Sequence, residues 1–364
     1  MGSPSGRNPA AAGLTDRPDK GFFASVSRLT RLLLTLAGVG LFVVLVLQSN
    51  PAVLLAGLRA SGWVVAWLVP LWAIVYLCNA TAWRLLVSSG PTLPGFRAWV
   101  ITVMAFGVNY ATPFLSFGGE PLKAIAAARW LGPQRSVGSV VAFRLLHSLS
   151  HMVVFTLVLI PAAFLLPRTP LTYIGIGICA TIFLTLIWFL FGRHREGVFI
   201  GFLGTLRRIP GLRRLAPRLE SRVPAFHALD LEVTAIMTAS PRRFYLALAF
   251  ELVGRLLSLA EFILIVYALG LGFHPVRAFL AGSLGSLVLM LFLFLPFELG
   301  AKEGGLYLAF SLVGYPAALG LQASLLSRLR ELVYAGLGIA LIWTMGDSPL
   351  RVLGRAMPKV EPEA

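Results

Sequence analysis

Long apolar segments constrain this chain more than any other feature. They recur from residue 29 to residue 345, and several approach or exceed the roughly 20 residues that a helix needs to cross a bilayer. The composition agrees, with 57% hydrophobic and 13% charged residues and a mean hydropathy of +0.83. A water-soluble domain is far less apolar. The sequence therefore predicts an all-α polytopic membrane protein.

Eight apolar segments are predicted, about six as full spans and two as parts of re-entrant helical hairpins. The predicted full spans are 29–47, 63–86, 137–166, 171–191, 244–269 and 323–343. The hairpins occupy 98–131 and 278–313. Each combines a short apolar segment with a polar, glycine-containing break and a second short helix.

The segments group into two membrane repeats flanked by polar tails. Residues 1–28 are predicted as a disordered cytoplasmic tail, since no cleavage site follows the first apolar run. The first repeat covers 29–170, and the second covers 171–345 with a basic cytoplasmic loop at 193–243. Residues 346–364 form a second cytoplasmic tail.

The two polar breaks share an internal pattern. Glu120 lies seven residues after Pro113, and Glu303 lies seven residues after Pro296. An arginine follows 24 residues later in the first half and 25 residues later in the second. Matches in the same order at nearly constant offset indicate a structural repeat of about 180 residues. The residues expected at the hairpin tips are Pro113, Gly118, Gly119, Pro296 and Gly300.

Charge distribution predicts the orientation. The net charge of +16 comes from arginines concentrated in loops, as the positive-inside rule predicts, so we expect no nucleic-acid partner. Re-entrant hairpins place both termini and the 193–243 loop in the cytoplasm of a bacterial inner membrane. Three spans then separate the hairpins, so the second repeat is inverted and the two tips meet near the bilayer midplane.

Ionisable side chains within apolar surroundings are the candidate site. Each costs about 2.5–3.5 kcal/mol at the bilayer centre on insertion scales, so such groups face one another or a wet cavity. Two interpretations remain open: the pairs hold the hairpins in place, or they line a cavity that accepts a lipid phosphate. The candidate cavity residues are Asn109, Glu120, Lys123, Arg144, His147, His151, Lys302, Glu303 and Arg328.

Three further charged residues in the 244–269 span are secondary candidates. Glu251 and Arg255 have i,i+4 helical spacing and are expected to neutralise each other. Glu261 has no obvious local partner. We expect no metal site, because His147 and His151 lack a third ligand, and no cofactor, because no nucleotide motif is present.

The sequence resembles the lysylphosphatidylglycerol synthase transmembrane family over residues 29–345. The resemblance rests on AWRLL at 82–86, NYATPFLSFGGEPLKA at 109–124, and the run from LPFELGAKEGG to SRLRE at 295–331. It implies movement of a phospholipid, an aminoacylated lipid, or a polyprenyl or hopanoid-type lipid between leaflets. The best-known members also carry a soluble aminoacyl-transferring domain. This chain ends too soon to hold one, so lipid synthesis is not expected.

The sequence-based hypothesis is a lipid flippase without enzymatic activity, whose partner is a membrane lipid with an anionic headgroup. One alternative is a membrane-embedded transferase with Glu120 or His147 as general base. Another is a non-catalytic partner of a lipid-modifying enzyme, recruited through the 193–243 loop. The sequence does not specify the headgroup, the direction of movement, the energy source or the oligomeric state.

Overall fold

The computed structural model describes residues 51–87, 91–111, 119–193, 223–291 and 300–344, which are helical with short connections and contain no strand. The helices are α1 (Pro51–Ser61), α2 (Val65–Val87), α3 (Gly95–Ala111), α4 (Gly119–Leu131), α5 (Pro133–Leu165), α6 (Pro170–Arg193), α7 (Val223–Thr238), α8 (Pro241–Ala268), α9 (Pro275–Leu291), α10 (Ala301–Leu312) and α11 (Ala317–Thr344).

Three helical stretches in the described residues are long and apolar enough to cross a bilayer. These are Leu55–Val87, Pro133–Leu165 and Pro170–Phe191, which establishes a multi-pass membrane protein. Helices α8 and α11 are each 28 residues long but carry charged side chains. The predicted span 29–47 lies outside the described residues. The total of six spans therefore stays a prediction.

Helix boundaries follow proline and glycine. Proline occupies the first turn of both α5 and α8, where its missing N–H is not needed. Gly132, with φ of 80°, separates α4 from α5 in a conformation that favours glycine. The basic loop predicted at 193–243 is not all loop, because residues 223–238 form α7, which packs along α5. Residues 194–222 of that loop lie outside the described part.

Both predicted hairpins consist of paired short helices. Helix α3 packs against α4 and α4 against α5, while α9 packs against α10 and α10 against α11. The breaks at 112–118 and 292–299, with Pro113, Gly118 and Pro296, fall outside the described residues. These contacts support hairpins in both halves. Their inverted relation and their depth in the membrane stay predictions.

The two halves are joined by close helix packing. Helix α2 lies along α8, and α3 lies along α11. At the second contact a Cβ added to Gly338 would stand 2.5 Å from the Val103 carbonyl oxygen and 3.1 Å from the Gly107 Cα. Small residues let membrane helices approach this closely. Glycine at 107 and 338 thereby brings the first hairpin against the last helix of the chain.

Candidate functional site

Two cavities lie side by side between the packed halves. Cavity A has a volume of about 200 Å³ and cavity B about 220 Å³. Both are lined by Trp72, Arg255 and Ser258, which form the boundary between them. Cavity A is also lined by Asn109, Glu120, Lys123, Arg144, His147 and Glu251.

The N-terminus of α4 presents Glu120 to cavity A. The Gly119 N–H donates to Asn109 Oδ1 at 2.6 Å, so Asn109 on α3 satisfies one free amide of α4. A Cβ on Gly119 would lie 2.2 Å from the Ala105 carbonyl oxygen, so only glycine permits this contact of backbones. Glu120 Oε1 then lies 3.6 Å from Arg144 Nη1, while its Oε2 is buried with no hydrogen bond among the described residues.

Lys123 is a buried cation in the wall of cavity A. It lies one turn after Glu120 and is 7% exposed. Its Nζ stands 4.7 Å from the ring centre of Phe143 and 5.8 Å from that of Trp83. No ion pair joins it to a carboxylate in the described part of the chain. Aromatic faces stabilise an ammonium only partly, so the charge remains available to an anion that enters the cavity.

Glu251 contacts a histidine, which corrects the expected Glu251–Arg255 pair. Its Oε2 lies 2.6 Å from His147 Nδ1, and the Asn79 amide, oriented as a donor, lies 3.2 Å from its Oε1. Arg255 forms no ion pair within the described residues, and its Nε is buried without a hydrogen bond. The pair predicted from the i,i+4 spacing does not form, because His147 on α5 and Asn79 on α2 contact Glu251 instead. Spacing along one helix cannot predict contacts with other helices.

Cavity B carries a network of paired charges. Arg330 Nη2 donates to both oxygens of Glu261 at 3.1 and 2.9 Å, and Trp72 Nε1 donates to Glu261 Oε2 at 2.5 Å. The Arg330 guanidinium also lies 3.7 Å from the Trp72 ring centre. Lys302 contacts Glu331. Glu261 thus has a partner 69 residues away, where the sequence offered none nearby.

The Glu303–Arg328 pair borders neither cavity. Glu303 is fully buried, and Arg328 donates to it through Nε and through Nη2, the latter at 3.0 Å. The same carboxylate accepts from the Gly300 N–H at 2.8 Å, at the start of α10, where Gly300 has φ of 77°. This pair anchors the second hairpin to α11.

Comparison with known proteins adds one decisive observation. A family model for the transmembrane region of lysylphosphatidylglycerol synthase matches residues 29–338. The chain belongs to this family. No significant match was found among curated proteins or among solved structures. The family membership confirms the resemblance and points to a membrane function related to lipids.

Within this member of the lysylphosphatidylglycerol synthase transmembrane family, the candidate residues divide into three groups. Cavity A is lined by Asn109, Glu120, Lys123, Arg144, His147, Glu251 and Arg255. Cavity B is lined by Lys302 and Glu261. His151, Glu303 and Arg328 line neither. His151 lies edge-on to His147, with ring centres 4.5 Å apart, and stacks on Phe155.

Several polar residues that shape the site were not among the candidates. Asn79 lies in an apolar span, and a lone amide there was the available signal. Arg330 and Glu331 belong to the SRLRE run that carries the family resemblance and were not singled out as candidates. Trp72 lies in the predicted span 63–86, where tryptophan is typical of interfaces and helix packing, and its indole N–H bonds Glu261 at the boundary of both cavities.

Proposed function

We propose that this protein moves a phospholipid with an anionic headgroup between the leaflets of a bacterial inner membrane, with both termini in the cytoplasm. Aminoacylated, polyprenyl and hopanoid-type lipids are the other candidate substrates. The headgroup would occupy cavity A while the acyl chains stay in the surrounding lipid.

One observation carries this proposal: cavity A holds two cations that no carboxylate neutralises by contact. Lys123 approaches from α4 and Arg255 from α8, and neither forms an ion pair in the described part of the chain. Uncompensated charge is costly in a membrane protein and marks substrate paths. Arginine and lysine are the usual ligands of phosphate.

The position of the cavity supports movement rather than static binding. Its walls come from helices α2 to α5 of the first half and from α8 of the second half, which carries Glu251 and Arg255. Transporters built from inverted repeats place their substrate site between the repeats. Rocking of the two halves about this site would expose the headgroup first to one leaflet and then to the other.

The test is lipid movement in proteoliposomes. A fluorescent phosphatidylglycerol is placed in both leaflets, and its outer-leaflet fraction is followed after a membrane-impermeant quencher is added. We expect the wild type to move the probe faster than empty vesicles, and Lys123→Gln and Arg255→Gln to be slower by about tenfold or more, since each removes a charge-assisted contact.

The exposed Arg168→Gln is the matched control and should equal the wild type. Folded wild-type protein that moves the probe no faster than empty vesicles would refute the proposal. If all three variants moved the lipid slowly, the loss of lipid movement would reflect reduced stability of the protein and not a change in cavity A.

The transferase alternative draws on one observation. His147 and Glu251 have the arrangement of a general base held by a carboxylate. However, the Ser258 hydroxyl in the same cavity donates to the Arg255 carbonyl, and Thr102 donates to Ala98. The Ser150 hydroxyl donates to the His147 backbone carbonyl, and no hydroxyl in the described residues bonds the His147 imidazole, so we rank transfer chemistry second.

A further inference from the structure

The His147–Glu251 pair gives cavity A a group that can change charge. Glu251 is 1% exposed, whereas the His147 side chain is 25% exposed and reaches the cavity. The Glu251 carboxylate accepts a hydrogen bond from Nδ1–H of His147. This fixes the tautomer and leaves the Nε2 lone pair as the position for a second proton.

The charged and titratable groups on and around α5 come from four helices. On α5 itself lie Arg144 and His151, and α8 contributes Glu251 and Arg255, whereas α2 contributes the neutral Asn79. Helix α4 brings Glu120 and Lys123 into the same cavity.

Helix α7 carries Asp230 and Glu232, with Glu232 packed at Gly138, nine residues before His147 on α5. Helices α6 and α9 meet α5 through apolar residues such as Phe183 and Leu287.

The charge balance of cavity A therefore depends on His147. Lys123, Arg144 and Arg255 face the two carboxylates Glu120 and Glu251. With neutral His147 the cavity carries one excess positive charge. With an imidazolium it carries two, and the added positive charge lies against Glu251.

We infer that His147 takes up a proton when the headgroup anion binds in cavity A and gives it up when the anion leaves. This inference rests on the proposed function and adds the coupling ion to it. The proton adds to Nε2 of the imidazole from water at the cavity, and no other bond forms or breaks. Transport would then follow a proton gradient together with the lipid.

The test uses glycerophosphoglycerol, a phosphodiester that stays a monoanion between about pH 5 and 8, the range in which histidine titrates. Calorimetric titration of the full-length protein in two buffers with different ionisation enthalpies gives the number of protons taken up per probe bound. We expect net proton uptake on binding and about fivefold tighter binding at pH 5.5 than at pH 7.5.

The variant His147→Asn keeps an N–H donor for Glu251 but cannot titrate. It should bind the probe without proton uptake and with equal affinity at both pH values. His227→Asn, on the exposed surface of α7, is the matched control and should retain the uptake. His151→Asn distinguishes proton uptake at His147 from uptake at the neighbouring His151, and this variant should also retain proton uptake.

The inference is overturned by the absence of proton uptake in the wild type, by its persistence in folded His147→Asn, by its loss in His151→Asn, or by the absence of probe binding. Lipid movement is not used in this measurement. If the protein moves lipid normally but shows no proton uptake, only this inference is refuted and the proposed function is retained. If proteoliposomes show no lipid movement, the proposed function itself is refuted.

Discussion

The two hairpins carry the same pair of residue types in unlike surroundings. Glu303 is fully buried, is held by two donors of Arg328 and caps Gly300, whereas Glu120 meets Arg144 only at 3.6 Å and leaves one oxygen without a hydrogen bond among the described residues. The Arg144 side chain is 43% exposed against 11% for Arg328. One sequence pattern has thus become a structural anchor in the second half and an open, cavity-lining pair in the first.

This difference favours a different interpretation for each of the two repeated glutamates. The Glu303 carboxylate accepts from two N–H groups of Arg328 and from the Gly300 N–H, so losing one partner of this buried pair is costly. An ion pair with a partly exposed arginine contributes little to stability. The second hairpin accordingly fits the structural interpretation, and the first fits the functional one.

The largest expected effect is on stability at Glu303. Glu303→Gln removes the charge facing the buried Arg328 and should lower the free energy of unfolding by about 3–5 kcal/mol. The thermal midpoint in detergent, read as loss of the monodisperse peak after heating, measures it. Glu120→Gln is the matched variant and should shift the midpoint far less. Equal shifts in the two variants would contradict the comparison.

A smaller loss is expected at the α3–α4 contact. Gly119→Ala places a methyl group against the Ala105 carbonyl oxygen and should cost about 1–3 kcal/mol by overpacking. Gly175→Ala, on the open face of α6 with no atom near the new Cβ, should be neutral or stabilising. Both are measured by the same thermal assay. A neutral Gly119→Ala would show that the first hairpin is too loosely held for its backbone contact to matter.

Trp72 tests the boundary between the cavities. Trp72→Phe removes the hydrogen bond to Glu261 and weakens the contact with the Arg330 guanidinium, at a cost of about 1–3 kcal/mol for the lost partner of a buried carboxylate. We expect a loss of unfolding free energy near the lower end of this range, because Arg330 still pairs with Glu261 in the variant. Val65→Ala, at the N-terminus of the same helix, serves as a control for changes in α2 that leave the charges untouched.

The smallest stability effect is expected at Arg144. Arg144→Gln should change the free energy of unfolding by about 1 kcal/mol or less, because ion pairs of exposed side chains contribute little and the Arg144 side chain is 43% exposed. In the vesicle assay the same variant should slow lipid movement, since it alters the charge of cavity A. A large loss of stability with unchanged lipid movement would reverse the roles assigned to the two hairpins.

Sequence reasoning located the site region better than its contacts. The polar breaks and the basic and acidic residues near them were visible because charge is rare in apolar segments. The partner of Glu251 was mistaken, since i,i+4 spacing describes one isolated helix and ignores the helices packed on it. Trp72 gave no sequence signal of its hydrogen bond, because tryptophan is equally common at interfaces and in helix packing.

The sequence by itself determined the class of protein, the approximate positions of the helices and the places where charge enters the apolar segments, because hydropathy, proline and glycine act locally. Only the tertiary structure decided which charges meet. His147 and Glu251 are 104 residues apart, and Trp72 and Glu261 are 189 apart. Their contact depends on the rotation and spacing of packed helices, which glycine contacts such as Gly107–Gly338 set and which no local pattern encodes.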